Sequence, residues 1–171
     1  MNKYCIIVNP IAGKGAGRTA IPEIQANLDT LGVDYDLFVT EYPAHAIEMA
    51  AEAGSNGYST VVAVGGDGTV NEVINGLMRA LNEGHLTSSM AVLPVGRGND
   101  FSYGMGIPVD LEAACKLLVE GNTRKIDIGF VKGEITRKVA ILAMASGSVL
   151  IRLWGLKLLN CPHLSAAYRL I

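Results

Sequence analysis

A glycine-rich turn with a single acidic residue, Gly65-Gly66-Asp67-Gly68-Thr69, is the segment of this sequence best suited to chemistry. β-Branched residues precede it and apolar residues at helical spacing follow, which predicts a strand, a tight turn and a helix. That arrangement directs backbone N–H groups and the positive end of the helix at a phosphate. Asp67 would lie at the tip, where a carboxylate can hold Mg²⁺ or take a proton, and Thr69 would cap the helix or bond a phosphate oxygen. The alternative is an ordinary strand-to-helix turn.

Two more glycine-rich loops follow predicted strands. Residues 9–18 carry two cations and precede a helix, so they could cradle a nucleotide phosphate, although neither the Walker A pattern nor G-x-G-x-x-G fits them. In residues 93–101, two glycines flank Arg97, which could pair with phosphate. Asn99 and Asp100 follow, where they could position a ribose or a metal. A flexible loop and a plain turn are the respective alternatives.

Three further polar residues are candidates because of where they fall. Asn71 and Glu72 lie in the first turn of the helix after Asp67, where a ligand would lie but where polar residues are often only solvated or capping. Thr40 ends the second predicted strand, at the same edge as the loops. For His45, near the start of an alanine-rich helix, a solvated or capping role is expected rather than a catalytic one.

Composition narrows the classes of protein that are possible. A chain of 171 residues, 50% hydrophobic and 18% charged, is suited to one globular domain. Its net charge of −2 gives no electrostatic argument for binding nucleic acid. Scattered cysteines without metal spacing are expected to be small buried hydrophobic residues in a reducing cytosol. No segment approaches the roughly 20 apolar residues of a membrane span, since Arg152 and Lys157 interrupt the apolar stretch 139–159.

Strand and helix patterns alternate along the chain. The patterns predict strands at 3–8, 34–40, 60–64, 90–93 and 124–131, helices at 19–31, 44–53, from the glycine turn to about 81 and at 110–119, and loops at 9–17 and 83–89. Such alternation predicts an α/β fold, a layered parallel sheet with helices on both faces. Ligands of such sheets bind beyond the carboxyl ends of the strands.

The motifs, taken in order, resemble the catalytic domain of diacylglycerol kinases, sphingosine kinases and bacterial lipid kinases. These motifs are Asn9-Pro10 with Gly13, then Gly65–Thr69 with Asn71-Glu72, then Leu93-Pro94, Gly96 and Asn99-Asp100-Phe101. The resemblance covers about residues 3–131 and implies the N-terminal domain of the NAD kinase and diacylglycerol kinase fold. NAD kinases share the GGDGT turn, but the Asn71-Glu72 pair after it, the opening Asn9-Pro10 and the later motif from Gly96 to Phe101 favour the lipid kinases.

The resemblance implies ATP and Mg²⁺ as cofactors and a lipid hydroxyl as acceptor, with Asp67 as catalytic and metal-binding residue. It also implies a cytoplasmic protein with peripheral contact at the inner membrane face in the intact parent, and leaves the oligomeric state open. The implied nucleotide-binding residues are Asn9, Pro10, Ile11, Ala12, Gly13, Thr40, Gly66, Asp67, Gly68, Thr69, Val70, Asn71, Glu72, Arg97, Asn99 and Asp100.

The chain departs from the family's pattern at two places. Arg97 stands where bacterial relatives usually carry a Thr that contacts ATP. We also expect the family's second, β-rich domain to be missing, with an ATP-binding domain over 1–132 and an aberrant tail over 133–171. Permitted codons for 140–159, read from the third base of the Ala140 codon, can spell a family-like segment, which suggests a frameshift near Val139. A lipid kinase domain that is inactive as this chain is therefore expected, and an NAD kinase-like enzyme and a non-catalytic nucleotide-binding remnant are the alternatives.

Overall fold

The computed structural model describes residues 3–84, 88–123, 126–128 and 168–170. The chain divides into two compact units, Met1–Asn122 and Thr123–Ile171. The first unit contains strands β1 (Lys3–Val8), β2 (Asp34–Val39), β3 (Thr60–Gly65) and β4 (Ser89–Pro94), and helices α1 (Ala12–Thr30), α2 (His45–Ser55), α3 (Asp67–Asn82), α4 (Asp100–Met105) and α5 (Leu111–Glu120).

The four strands of the first unit form one parallel sheet in the order β2-β1-β3-β4. Val8 in β1 lies opposite Val39 in β2 and Val64 in β3, and Val64 lies opposite Leu93 in β4. The β-branched runs of β1 and β3 are buried because these two central strands are covered on both faces. All four strands therefore end at the same edge of the sheet.

Helices cover both faces of this sheet, as the sequence predicts. Alternate strand residues such as Ile6 and Val62 pack in one cluster with Ile24 and Leu28 of α1 and Cys115 of α5. The intervening residues face the other way, where α2 and α3 contact β1 and β3. Helices α2 and α3 approach closely because α3 has glycine at position 76, where a Cβ would lie 2.3 Å from a backbone oxygen of α2.

Two parts of the predicted secondary structure are wrong in detail. The loop predicted over 9–17 is shorter, since α1 begins at Ala12, leaves helical geometry at residues 13–15 and then continues. Gly17 lies in α1, and a Cβ there would lie 2.0 Å from the carbonyl oxygen of Asn9, so the helix passes directly against that loop. The sequence analysis also missed the short helix α4, which ends the loop after β4.

The second unit contains a two-stranded antiparallel sheet of β5 (Ile126–Ile128) and β6 (Tyr168–Leu170). The strand predicted at 124–131 is thus described only at 126–128, and it is not part of the parallel sheet. The predicted tail over 133–171 and its frameshift lie outside the described residues, apart from β6, and stay predictions.

Two of the three cysteines lie among the described residues, and both are buried. Burial raises the pKa of Cys5 to about 12 and that of Cys115 to about 11. These two thiols are therefore protonated near neutral pH, which confirms the expectation of small buried hydrophobic residues.

Candidate functional site

The candidate site lies at the edge of the sheet where the four strands end. The backbone hydrogen bonds between neighbouring strands continue into the loops. Asn9 donates its N–H to Val64 O at 3.0 Å, and Thr40 donates its N–H to Val8 O at 2.9 Å. Likewise Val95 donates to Gly65 O at 3.0 Å. These bonds place the first residues of the predicted loops side by side, because neighbouring parallel strands lie about 4.8 Å apart.

Asn9 connects the first loop to the glycine turn. Its Nδ2 donates to Thr69 Oγ1 at 3.1 Å, and its Oδ1 accepts the N–H of Ile11 at 3.2 Å. Thr69 is only 3% exposed and lies against Gly65, where a Cβ would lie 2.3 Å from the hydroxyl oxygen. In this structure Thr69 therefore holds two loops together, and its contact with a phosphate stays a prediction.

Glycines allow the loops to meet backbone against backbone. A Cβ on Gly96 would lie 2.4 Å from the Cα of Gly66, so the turns after β3 and β4 are in direct contact. A Cβ on Gly13, which has φ +59°, would lie 2.3 Å from the carbonyl oxygen of Val95. The loop after β1 thus contacts the loop after β4 as well. Real Cβ atoms do not approach backbone so closely, and glycine at these positions is what permits the contacts.

Asp67 is exposed at the centre of these turns, as the first residue of α3. Its Oδ1 accepts the backbone N–H of Phe101, in α4, at 3.0 Å. Its Oδ2 points toward Gly98, where a Cβ would lie 3.2 Å away. One carboxylate oxygen is therefore held by the protein backbone, while the other lies beside Gly98.

The donor set near Asp67 suits a magnesium ion that is shared with a substrate. The Oδ2 of Asp67 and the Oδ1 of Asp100 both lie within 4.0 Å of the point that a Cβ of Gly98 would occupy. Mg²⁺ is usually held by one or two carboxylates together with substrate phosphates and water. Among the described residues no group of three or more His, Cys, Asp or Glu side chains could hold a metal. The described residues thus fit a metal that arrives with a phosphate ligand.

Asn99 shapes the third loop from within. It is 8% exposed and left-handed, with φ +56°. Its Oδ1 accepts the N–H of Gly96 at 3.0 Å and its Nδ2 donates to Gly96 O at 2.9 Å. Both polar atoms of the amide therefore close the turn, whereas Arg97 and Asp100 are exposed. A nucleotide contact by Asn99 stays a prediction, and Arg97 and Asp100 are the accessible candidates in this loop.

Glu72 connects α3 to the loop after β2. Its Oε1 accepts the N–H of Ala44 at 3.2 Å. Asn71, one residue earlier, accepts from Nδ2 of Asn75 through its side-chain oxygen at 2.7 Å and its carbonyl oxygen at 2.8 Å. Both predicted ligands thus take part in contacts within the protein, and their role toward a nucleotide stays a prediction.

The remaining predicted residues differ in accessibility. Pro10 and Val70 are buried, with Val70 donating its N–H to Gly66 O at 3.1 Å in the first turn of α3. Ile11 is 75% exposed, and a Cβ on Gly68 would meet no atom within 4 Å. Gly68 therefore stands beside open space at the start of α3. The half-exposed residues of this set are Ala12, Gly13, Thr40 and Gly66.

Three residues at this edge were not predicted as site residues, although Phe101 is part of the third motif. The N–H of Phe101 binds Asp67, and Ala44, left-handed at φ +68°, binds Glu72. Tyr42 stacks on His45 at the end of β2. The backbone contacts leave no signal in the residue types, but a tyrosine two residues after Thr40 was a signal that could have been used.

Comparison with known proteins agrees with this arrangement. The model of the family described as diacylglycerol kinase catalytic domain matches residues 3–131. The chain belongs to the diacylglycerol kinase catalytic domain family. A diacylglycerol kinase of Staphylococcus saprophyticus is 34% identical over 124 residues, which are 72% of this chain and 39% of the relative. A diacylglycerol kinase of Staphylococcus aureus is 36% identical over 124 residues, 72% of this chain and 38% of the relative.

The fold of this diacylglycerol kinase family member is also found in solved structures. The crystal structure of a diacylglycerol kinase from Bacillus anthracis matches with a TM-score of 0.66 and 30% sequence identity, over 75% of this chain and 43% of that one. The chain spans about two fifths of the length of the curated relatives it matches. Within the described residues, no helix combines the length and apolarity needed to span a membrane.

Proposed function

We propose that the first unit is the ATP-binding part of a lipid kinase that transfers the γ-phosphoryl group of ATP to a hydroxyl of diacylglycerol or a similar lipid. Family membership and the two relatives named as diacylglycerol kinases support this reaction class. The observation that carries the proposal is the contact of three strand-end loops around one exposed carboxylate, Asp67. Phosphoryl transfer needs mainly positioning and charge neutralisation, which such loops supply.

Backbone amides at the start of α3 are the proposed ligands of the phosphates. The N-cap of α3 is Gly66, which has no side chain to accept from the N–H groups of the first turn. Open space beside Gly68 lets a phosphate oxygen approach these donors. The positive end of the 16-residue helix favours an anion at this position.

Asp67 is the proposed catalytic residue. Because Phe101 fixes one carboxylate oxygen, Oδ2 is the atom available to a metal or to the acceptor hydroxyl. Bound Mg²⁺ would neutralise charge on the phosphates, with Asp67 and Asp100 as the residues in position to hold it. The same Oδ2 would otherwise take the proton of the acceptor as it attacks.

Titration calorimetry with ATP and Mg²⁺ on the 171-residue chain tests the nucleotide site first. Asp67→Asn keeps an oxygen to accept from Phe101, so the fold is retained while the charge is lost. We expect this variant to lose the part of ATP affinity that depends on Mg²⁺. Asp110→Asn is the matched control, because Asp110 also accepts a backbone N–H, that of Ala113 at 2.9 Å, but caps α5.

Transfer of labelled phosphate from ATP to a panel of acceptors tests the reaction. Diacylglycerol, sphingosine and NAD are offered separately, and the proposal expects any label in a lipid and none in NAD. Label in NAD alone would support the NAD kinase-like alternative. No binding of ATP with Mg²⁺ by the chain would refute the proposed nucleotide site itself.

A further inference from the structure

An aromatic pair lies in the loop after β2, at the same edge as the three glycine-rich loops. The rings of Tyr42 and His45 stack with centroids 4.2 Å apart and an angle of 10° between their planes. Tyr42 is nevertheless 48% exposed. Because His45 covers one face of the tyrosine ring, the opposite face and the ring edge are the parts of the ring left for contact with a ligand.

Hydrogen bonds hold both rings in place. The hydroxyl of Tyr42 donates to Glu48 Oε2 at 2.5 Å, and Nδ1 of His45 accepts the N–H of Glu41 at 3.1 Å. A flat apolar surface that is already fixed loses little conformational entropy when a ligand stacks on it. The face of the Tyr42 ring opposite His45 is thus a preorganised surface, and neither the stacking with His45 nor the hydrogen bond to Glu48 uses it.

The position of this surface matches the length of a nucleotide bound at the glycine turn. The loop that carries Tyr42 begins at Thr40, which is bonded to the end of β1, and it is tied to α3 by the bond from Ala44 to Glu72. Strand β2 lies two strands from β3 in the sheet, a distance of about 10 Å. A nucleotide whose phosphates lie at the start of α3 can therefore extend its base over the end of β2.

The other end of this edge of the sheet, beside the loop after β4, is less suited to binding a base. There the amide of Asn99 closes its own turn on Gly96, and Asp67 binds the N–H of Phe101. The exposed side chains of that loop, Arg97 and Asp100, are charged. Tyr103 on α4 is also exposed, but within the described residues no hydrogen bond or ring contact fixes its side chain, whereas His45 and Glu48 fix that of Tyr42.

We propose that the exposed face of Tyr42 stacks on the purine base of the bound nucleotide, with His45 packed behind it. This inference rests on the proposed function, since it needs the phosphates at the start of α3. Stacking on an aromatic side chain depends little on which base is offered, because every base has a π face. The site would therefore accept ATP and GTP with similar affinity.

Calorimetric titrations with ATP and with inorganic tripolyphosphate, both with Mg²⁺, separate the base from the phosphates. Tyr42→Leu is expected to weaken ATP binding about tenfold and to leave tripolyphosphate binding unchanged. Tyr42→Trp, which keeps a stacking face, is expected to retain ATP affinity. Tyr103→Leu is the matched control, because Tyr103 is 88% exposed on α4 and the same substitution there should change neither affinity.

Each other outcome has a definite meaning. Equal ATP affinity for Tyr42→Leu and the unchanged chain would overturn the stacking inference while leaving the proposed phosphate site intact. Equal weakening of ATP and tripolyphosphate would also overturn it, since Tyr42 would then act on the phosphate loops. If neither ligand binds the unchanged chain, the proposed function fails and the inference fails with it.

Discussion

Gly68 offers a test in which stability and binding should change in opposite directions. It is the second residue of α3, and a Cβ placed on it would meet no atom within 4 Å. Nothing in the folded chain therefore requires glycine at this position. If a phosphate approaches the amides here, however, a methyl group would occupy the path of the ligand.

The magnitudes follow from the helix position and the open space. Gly68→Ala should raise the free energy of unfolding by about 0.5 kcal/mol, because alanine loses less backbone entropy than glycine on entering a helix. The same methyl group should weaken ATP binding at least about tenfold, or about 1.4 kcal/mol. Gly76→Ala in the same helix is the opposite case, since its Cβ would lie 2.3 Å from Ile47 O. That overpacking should cost about 1–3 kcal/mol.

Urea unfolding followed by circular dichroism gives the stability of each variant, and calorimetry gives its affinity for ATP with Mg²⁺. The unfolding midpoint should rise slightly for Gly68→Ala and fall clearly for Gly76→Ala. Unchanged ATP affinity in a stabilised Gly68→Ala would refute the reasoning, because the space beside Gly68 would then be unused by the ligand.

Three further predictions concern other parts of the first unit. Gly96→Ala should lower the free energy of unfolding by about 1–3 kcal/mol in urea, because its Cβ would lie 2.4 Å from backbone that cannot move aside. Hydrogen bonds from Lys3 and Tyr58 hold the pKa of Asp36 below its ordinary value of 3.8. The ionised carboxylate therefore contributes its full stabilisation above pH 3.8, and this contribution declines as the pH falls from 3.8 through the lower pKa of the folded state. The stability difference between the unchanged chain and Asp36→Asn should therefore shrink below pH 3.8, and a constant difference would contradict the ion pair. Cys5 and Cys115 should react slowly with a thiol reagent at neutral pH and rapidly after unfolding, as measured by mass spectrometry at each site.

Residue patterns were sufficient for the four strands of the parallel sheet and for the positions of the three loops, although not for the length of the first loop. The strand at 3–8 agrees with β1, and the strand predicted at 60–64 lies within β3 (Thr60–Gly65), because buried parallel strands read as continuous β-branched runs. Helix α5 (Leu111–Glu120) is one residue displaced at each end from the predicted 110–119, since Asp110 is the cap and not the first helical residue.

The contacts within the site could not be predicted, because they join residues that are distant in sequence. The bond from Asn9 to Thr69 and the bond from Phe101 to Asp67 each depend on how the strands are ordered in the sheet. The contact of Gly66 with Gly96 involves only backbone, so the residue types reveal that glycine is tolerated but not what it touches. Likewise the antiparallel pairing of β5 depends on a segment about forty residues later.

The central claim is that the loops after β1, β3 and β4 form a single phosphate-binding site. Amide NMR spectra of the isotopically labelled chain, recorded with and without ATP and Mg²⁺, test it most directly. The largest shifts are expected on residues 9–15, 65–72 and 95–99, while the signals of residues 56–59 at the opposite edge of the sheet should stay unchanged. Shifts confined to any other part of the chain, or no shifts at all at saturating ATP, would contradict it.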